Sequence, residues 1–439
     1  MSTEILESLP VTDGLHGELA VPGDKSVSHR SLMLLAIADG TGEVTGLLEG
    51  EDCIATANAM QMMGAEINRI APGRYVVNGS GLRGLRRPDA DIDLGNSGTG
   101  MRLLCGLLSA QAFPTRLVGD ESLSVRPMRR VTKPLTAMGA VIHSNDGCAP
   151  LTIRPSNGLN GIRYDMPIAS AQLKSALILA GLYANGETEL IEPGPSRDHT
   201  ERMLSAMGAN IESERQRIVV QPTEQLRAID IQVPADLSSA AFFLVAASIV
   251  PDSCLTLTGV GVNPTRTGVL DILASLGANI EVSNKRVCGG EPVADLLVRS
   301  ANLKAIDLDP ALVPLAIDEF PILFIAAAAA DGVSRFSGLE ELRHKESDRI
   351  GVMTKGLREL GIVVEEGEDW VEITGGPITG GTIDSHGDHR IAMAFAVAAA
   401  CSSGSIFVEK PENIATSFPN FVYLANQVGL KMMLGMGNS

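Results

Sequence analysis

The stretch Leu276-Gly277-Ala278-Asn279-Ile280-Glu281-Val282 is one copy of a pattern that recurs along the whole chain. In each copy an amphipathic segment ends on an apolar residue, a glycine follows, and a small or aliphatic residue comes next. Such a glycine is typical of a helix C-cap in the left-handed conformation, and the residues after it favour a strand. The copies are Met63-Gly64-Ala65, Met138-Gly139-Ala140, Met207-Gly208-Ala209, Leu276-Gly277-Ala278, Leu360-Gly361-Ile362 and Val428-Gly429-Leu430.

These six glycines follow one another at intervals of 75, 69, 69, 84 and 68 residues, which indicates six copies of one α/β unit. A second set of helices, apolar on almost every face and therefore buried, recurs in phase with them. We predict an α/β fold of two similar domains, each with three βαβαββ-type units around buried central helices, as in an inside-out α/β barrel. The buried helices should begin near Ser28, Gly98, Ala171, Leu237, Phe320 and His389.

The phase of the repeat also predicts where the domains meet. A chain of 439 residues exceeds what one hydrophobic core can serve. One crossover is expected near Ile231–Ala235, and the other near Ala20–Gly23, because the first 20 residues precede the first buried helix. The predicted domains are therefore 24–234, and 1–23 together with 235–439.

Composition limits the partners of the protein. A net charge of −17 and an aromatic content of 3% argue against nucleic acid. The six cysteines form no C-x-x-C pair, as expected in a reducing compartment. The N-terminal MSTEILESLP lacks a signal-peptide profile, and the alanine-rich run Phe320–Ala330 is too short to span a bilayer. We expect a cytoplasmic monomer that binds neither membranes nor nucleic acids.

Charged and hydroxyl-bearing residues gather at the starts of the predicted helices. In Pro22-Gly23-Asp24-Lys25-Ser26-Val27-Ser28-His29-Arg30, a lysine, hydroxyls and an arginine crowd one helix N-terminus, which favours anions. For a single cluster, a solvated and capped helix start is as good an explanation as a phosphate site. It does not explain the whole series of clusters, and the series therefore indicates phosphate binding. The other clusters lie at 96–102, 126–130, 170–174, 196–199, 317–321, 343–349 and 384–390.

The cluster Asp384–Arg390 offers two histidines and two aspartates, so a metal site is an alternative there. However, Arg390 would stand beside the metal, and the histidines lack the helical i, i+4 spacing. No phosphate-loop or dinucleotide motif occurs in its expected context. We therefore predict neither a metal nor a cofactor.

Eight motifs, in order along the chain, make it similar to the 5-enolpyruvylshikimate-3-phosphate synthase family. They are PGDKSVSHR (22–30), LGNSGTGMR (94–102), RPM (126–128), SAQLKSALILAG (170–181), SRDHTE (196–201), DEFP (318–321), KESDR (345–349) and DHRIAM (388–393). The resemblance implies two three-unit domains joined by a double crossover, with the active site between them.

The resemblance also implies an activity and a set of site residues. The family transfers the enolpyruvyl group of phosphoenolpyruvate to the 5-hydroxyl of shikimate 3-phosphate, and the herbicide glyphosate occupies its phosphoenolpyruvate site. Shikimate 3-phosphate is expected at Lys25, Ser26, Arg30, Ser170, Ala171, Gln172, Arg197, Asp318 and Lys345. Phosphoenolpyruvate is expected at Lys25, Gly98, Arg126, Gln172, Arg349 and Arg390. The implied catalytic residues are Lys25, Asp318 and Glu346.

One departure and two alternatives accompany this resemblance. Many members carry a lysine where this chain has Thr416, so the phosphate contact of that lysine is in question. A related transferase that acts on UDP-N-acetylglucosamine normally has a loop cysteine, which the matching segment Leu117–Arg126 lacks. A non-catalytic phosphometabolite-binding protein would need the arginines but neither Asp318 nor Glu346.

Overall fold

The computed structural model describes residues 4–436, which form a mixed α/β fold in two compact units. The N-terminal unit comprises Gly23–Pro234 and Val287–Glu291, and the C-terminal unit comprises Met1–Pro22, Ala235–Arg286 and Pro292–Ser439. The short segment Val287–Glu291, which the sequence analysis assigned to the domain containing 235–439, groups with the N-terminal unit. There the Glu291 carboxylate lies 2.8 Å from Nδ1 of buried His199.

The N-terminal unit contains three four-stranded sheets with one shared topology. In each, the first strand pairs in parallel with the second, and the other two continue antiparallel. In spatial order the first sheet is Ile231–Gln232, Asp39–Thr45, Arg74–Ser80 and Glu66–Ala71. The second is Ile92–Asp93, Thr115–Val118, Cys148–Arg154 and Val141–Asn145, and the third is Arg163–Asp165, Thr188–Ile191, Arg217–Val220 and Ile211–Glu214.

The C-terminal unit repeats this topology with one difference. Two of its sheets have four strands, His16–Leu19, Cys254–Gly261, Glu291–Arg299 and Asn279–Cys288, and Gly381–Asp384, Ile406–Glu409, Glu4–Leu9 and Lys431–Met436. The third has only Val333–Ser337, Trp370–Thr374 and Val363–Glu366. A parallel bridge between Asp307 and Arg335 lies where the fourth strand would pair, so the fifth copy of the unit is an abbreviated one.

Each sheet is accompanied by one buried and one amphipathic helix. The buried helices are Lys25–Ala36, Gly98–Leu108, Ala171–Gly181, Leu237–Ile249, Phe320–Ala328 and His389–Ala398. The amphipathic helices are Glu51–Met62, Arg129–Ala137, His199–Ala206, Gly268–Ser275, Arg349–Glu359 and Phe421–Gln427. Short helical segments cover Glu121–Ser124, Pro310–Leu315, Glu340–His344, Ala399–Cys401 and Glu412–Thr416. No helix within residues 4–436 is long and apolar enough to cross a membrane.

The six repeated glycines end the amphipathic helices as the sequence predicts. Their φ angles lie between 85° and 108°, a region that side chains other than glycine rarely adopt. After the helix Gly268–Ser275, the Gly277 amide donates to Ala274 O at 2.9 Å and the Ala278 amide to Leu273 O at 2.9 Å. This pair of bonds is the Schellman motif, which satisfies the last carbonyls and starts the next strand.

Each unit has its own hydrophobic core, built mainly from aliphatic side chains. In the N-terminal unit the helices Gly98–Leu108 and Ala171–Gly181 touch so closely that a Cβ on Gly106 would overlap the Ala176 carbonyl. Small residues thus replace the scarce aromatics, as the composition indicates. The interiors of the buried helices fill the cores, which leaves their first turns to carry the polar clusters.

Candidate active site

Arg30 is the most deeply buried cation of the cluster Pro22–Arg30, and its side chain is only 3% exposed. Its guanidinium donates to Thr200 Oγ1 at 2.6 Å, Ser175 Oγ at 2.7 Å and Ser26 O at 2.9 Å. Burial lowers its pKa to about 10. Within residues 4–436, no carboxylate oxygen lies within 4.0 Å of this guanidinium. Glu201, Asp24 and Glu291 act on Arg30 only from longer range, so its direct partners are hydroxyls and a carbonyl, an arrangement that suits an anionic ligand.

Lys25 and Arg197 join Arg30 at the same helix start. Lys25 begins the helix Lys25–Ala36, and its Nζ lies 2.5 Å from Asp52 Oδ2. Arg197 donates to Ser26 Oγ at 3.4 Å, although the two residues are 171 positions apart in sequence. The structure therefore brings together four predicted ligands: Lys25, Ser26, Arg30 and Arg197.

Gly98 lies beside two guanidinium groups. A Cβ built on it would be 3.0 Å from Arg102 NH1 and 3.4 Å from Arg126 NH1. Arg126 donates to Asn96 Oδ1 at 2.5 Å and to Ser122 Oγ at 3.1 Å. Arg126 precedes the helix Arg129–Ala137 rather than belonging to it. Of the three arginines in the cluster 126–130, only Arg129 and Arg130 therefore lie in the first turn of a helix, where positive charge is unfavourable.

Gln172 links two of the buried helices at their N-termini. Its Oε1 accepts from Arg102 NH1 at 2.7 Å, and its Nε2 donates to Thr99 Oγ1 at 2.9 Å. Ser170 is the N-cap of the helix Ala171–Gly181, and its hydroxyl accepts from the Leu173 amide at 3.4 Å. Ala171 can offer a ligand only its backbone polar groups.

In the C-terminal unit, predicted residues surround the buried guanidinium of Arg349, which is 1% exposed. It contacts Asp388 Oδ2 at 2.9 Å, Glu346 Oε2 at 2.7 Å and Asp318 Oδ1 at 3.5 Å. Burial acts to lower the pKa of Arg349, but these three carboxylates outweigh it and raise the pKa. Burial acts to raise the pKa of Asp388, but Arg349 holds it below its usual value.

The two predicted acid–base residues keep partly open positions beside this arginine. Asp318 is 18% exposed, and its Oδ1 lies 3.2 Å from Lys345 Nζ. Glu346 is 29% exposed. Glu319, rather than Asp318, occupies the cap position of the helix Phe320–Ala328. The Asp318 carboxylate instead lies beside two cations, 3.2 Å from Lys345 Nζ and 3.5 Å from Arg349 NH1.

Arg390 enters the first turn of the helix His389–Ala398 at 13% exposure. Its NH1 lies 3.8 Å from Glu319 Oε1, and its guanidinium makes no hydrogen bond to any residue in 4–436. Arg390 therefore has donors to offer an anion.

The metal alternative finds no support in the geometry of Asp384–Arg390. Asp388 caps its helix through the Arg390 amide at 2.9 Å and also binds Arg349. In the described part of the chain, no three His, Cys, Asp or Glu side chains are grouped to hold a metal ion. Thr416, where the resemblance implies a lysine in other members, is buried and donates to Asn413 O at 2.7 Å, so it supplies no charge.

Sequence reasoning missed the residues that hold the predicted ligands in place. Asp52, the partner of Lys25, lies in the first turn of a helix, where an acidic residue is ordinary. Thr200 belongs to a quoted motif, but nothing in its neighbourhood signals a bond to Arg30, 170 positions away. Asp388 stood only as a metal candidate, and its contact with Arg349 depends on tertiary packing.

Three comparisons with known proteins agree on one family. The profile of EPSP synthase (3-phosphoshikimate 1-carboxyvinyltransferase) matches residues 11–424. A 3-phosphoshikimate 1-carboxyvinyltransferase from Alkalilimnicola ehrlichii is 57% identical over 423 residues, which cover 96% of this chain and 95% of the relative. One from Legionella pneumophila is 51% identical over 414 residues, covering 94% and 96%.

Solved structures extend this similarity to the fold. The EPSP synthase from Acinetobacter baumannii superposes with a TM-score of 0.90 at 49% sequence identity. The match covers 99% of this chain and 100% of the solved chain. The enolpyruvyl transferase NikO from Streptomyces tendae has a TM-score of 0.81 at 18% identity, covering 100% of both chains, and so shares the fold alone.

Proposed function

Because the chain belongs to the EPSP synthase family, we propose that it transfers the enolpyruvyl group of phosphoenolpyruvate to the 5-hydroxyl of shikimate 3-phosphate and releases phosphate. The reaction belongs to the shikimate pathway of aromatic amino acid biosynthesis. The observation that carries the proposal is the pairing of buried arginines with partly exposed carboxylates. Arginines neutralise the anionic groups of the two substrates, and the carboxylates move protons.

We propose that shikimate 3-phosphate binds where Ser26, Arg30 and Arg197 meet. Support comes from the direct partners of Arg30 within residues 4–436, which are hydroxyls and a carbonyl, while Glu201, Asp24 and Glu291 act on it only from longer range; a ligand anion would pair with it directly. Hydroxyl, amide and guanidinium groups suit a phosphorylated polyol. The remaining proposed ligands are Lys25, Ser170, Ala171, Gln172, Asp318 and Lys345.

We propose that phosphoenolpyruvate binds the arginines Arg126, Arg349 and Arg390, together with Lys25, Gly98 and Gln172. Two features support this set. The guanidinium of Arg390 makes no hydrogen bond within residues 4–436, and Gly98 lets a ligand approach the helix start closely. In the place of the family lysine, Thr416 offers no charge, so the arginines and Lys25 hold the phosphate in this proposal.

The chemistry assigns roles to the carboxylates. The 5-hydroxyl adds to C2 of phosphoenolpyruvate while C3 gains a proton, which gives a tetrahedral intermediate. Phosphate then leaves C2 as a proton is removed from the new methyl group. One group must donate and then accept the proton at C3, and we assign this to Glu346. Asp318 takes the hydroxyl proton, and Lys25 assists that transfer and stabilises the departing phosphate.

The finer architecture is also part of the proposal. We propose that the six sheets form two three-unit, inside-out α/β domains joined by a double crossover, with boundaries at 24–234 and at 1–23 plus 235–439. Six sheets of related topology support this. We further propose that the protein is a cytoplasmic monomer. The six free cysteines support a reducing compartment such as the cytoplasm.

Phosphate release from the purified chain, without added metal, tests the proposed reaction. We expect release only when phosphoenolpyruvate and shikimate 3-phosphate are both present. Release with UDP-N-acetylglucosamine as the acceptor would instead support the related transferase, which the comparisons do not favour. Tight binding of both compounds without turnover would support a non-catalytic binding protein.

A further inference from the structure

Three buried charged side chains form a cluster in the N-terminal unit that the proposed reaction does not use. Lys174 Nζ lies 2.8 Å from Glu192 Oε2 and 2.7 Å from Glu201 Oε1. The three side chains are only 2%, 3% and 5% exposed. Burial acts to lower the pKa of Lys174, but the two carboxylates outweigh it and raise the pKa, so the ammonium stays charged.

The cluster joins two segments that carry proposed ligands of shikimate 3-phosphate and a third that contacts the proposed ligand Arg30. Lys174 lies in the first turn of the helix Ala171–Gly181, four residues after Ser170 and two after Gln172. Its Nζ also donates to the carbonyl of Ser196 at 3.3 Å, and Ser196 precedes Arg197. The hydroxyl of Ser196 in turn donates to Glu192.

The third link runs through Glu201 to Arg30. Glu201 lies in the helix His199–Ala206, next to Thr200. The hydroxyl of Thr200 accepts from Arg30 Nε at 2.6 Å and lies 2.8 Å from Ser175 Oγ. Lys174 is therefore tied to the segment before Arg197 by a hydrogen bond and to the helix that contacts Arg30 by an ion pair with Glu201.

Stability alone is a poor reason for such a cluster. Removing three charges from water is costly, and well-packed apolar side chains of similar volume often stabilise a fold at least as well. What an apolar trio cannot supply is a directional donor to the Ser196 carbonyl and an anchor for Glu201. These bonds specify where the segments lie.

We infer that Lys174 is a positioning residue for shikimate 3-phosphate. Its bond to Ser196 O fixes the segment that presents Arg197, and its bond to Glu201 fixes the helix that holds Arg30. This inference rests on the proposed function, because it assumes that Arg30 and Arg197 bind that substrate.

Two variants separate positioning from stability. Lys174→Met leaves two buried carboxylates without a cation, so it should lower Tm and raise the Kd for shikimate 3-phosphate about tenfold. The triple variant Lys174→Met, Glu192→Gln, Glu201→Gln removes all three charges and should recover much of the Tm. Since the donor to Ser196 O is still missing, its Kd should stay raised about tenfold. Calorimetric titration gives Kd, and thermal unfolding gives Tm.

Steady-state kinetics supply a second readout. At saturating shikimate 3-phosphate, the KM for phosphoenolpyruvate should change less than about threefold, whereas the KM for shikimate 3-phosphate follows its Kd. Leu255→Ala, a core change in the strand Cys254–Gly261 of the C-terminal unit, is the control for lost stability. It should lower Tm and leave the Kd near the parental value.

The outcomes distinguish this inference from the proposed function. A triple variant with recovered Tm and parental Kd would show that the cluster only stabilises the fold, which overturns the inference. If the larger changes unfold the chain, the isosteric change Glu201→Gln removes only the ion pair with Lys174 and should raise the Kd about threefold; a parental Kd there would also overturn the inference. A parent chain that neither binds shikimate 3-phosphate nor releases phosphate would refute the proposed function itself.

Discussion

Replacing Gly98 by alanine tests the proposed phosphoenolpyruvate site most sharply. The new methyl group would lie 3.0 Å from Arg102 NH1, 3.4 Å from Arg126 NH1 and 3.7 Å from Leu123 Cδ1. The two arginine contacts are tighter than ordinary van der Waals contacts, so both guanidinium groups must move by a few tenths of an ångström. Because these atoms end flexible side chains, the backbone can stay in place, and Tm should hardly change.

The steric effect of the new methyl group should therefore weaken ligand binding rather than destabilise the fold. Arg126 is a proposed ligand, and a shift of Arg102 disturbs its 2.7 Å bond to Gln172, another proposed ligand. Overpacking of this kind costs about 1–3 kcal/mol, which corresponds to about 5- to 150-fold in affinity. Glyphosate is expected in the same site, as the family resemblance implies, and it is longer than phosphoenolpyruvate, so we expect the upper part of that range for it. We expect the unaltered chain to be glyphosate-sensitive.

The assay compares the KM for phosphoenolpyruvate with the inhibition constant of glyphosate, at saturating shikimate 3-phosphate. Gly98→Ala should raise the KM about tenfold and the inhibition constant about a hundredfold. Gly194→Ala is a matched control, because its Cβ would meet only Ala169 Cβ, at 3.9 Å. Equal shifts in the two constants would refute the placement of Gly98 in this site.

Three further predictions address the carboxylates and the cysteines. Glu346→Gln should lower kcat by about 10²–10⁴-fold while calorimetry shows an unchanged Kd for shikimate 3-phosphate; near-parental turnover would remove Glu346 from the proton transfer. The pKa of Asp388 in the folded chain lies below its ordinary value of about 3.9. Ionised Asp388 therefore stabilises the fold fully above that ordinary value, and this stabilisation is lost as the pH falls through the lower pKa of the folded state. In urea unfolding, the stability difference between the parent and Asp388→Asn should therefore shrink below about pH 4, and a difference independent of pH would contradict this. Serine at all six cysteine positions should preserve turnover, and a folded but inactive variant would favour the cysteine-dependent transferase.

Local patterns were enough to predict the repeated elements of this fold. The helix starts at Gly98, Ala171, Leu237, Phe320 and His389 follow from apolar runs preceded by capping residues. The C-cap glycines follow from the left-handed conformation that their positions require. Both signals depend on neighbours within a few residues.

Contacts between distant segments escaped prediction for the same reason. The bond from Arg30 to Ser175 joins residues 145 positions apart, and that from Arg349 to Asp388 joins residues 39 apart. Likewise, no local pattern distinguishes Glu319 from Asp318 as the helix cap. Packing of the repeated units decides these contacts, and one chain read alone shows the residue types but not their partners.

The measurement that tests the central claim most directly is mass spectrometry of the product formed in D₂O. The claim is that C3 of phosphoenolpyruvate gains a solvent proton on addition and loses one on elimination. The account predicts shikimate 3-phosphate carrying an enolpyruvyl group, with solvent deuterium in its vinyl position. A product without vinyl deuterium would contradict the proton transfer assigned to Glu346, and the absence of any enolpyruvyl product would contradict the proposed reaction itself.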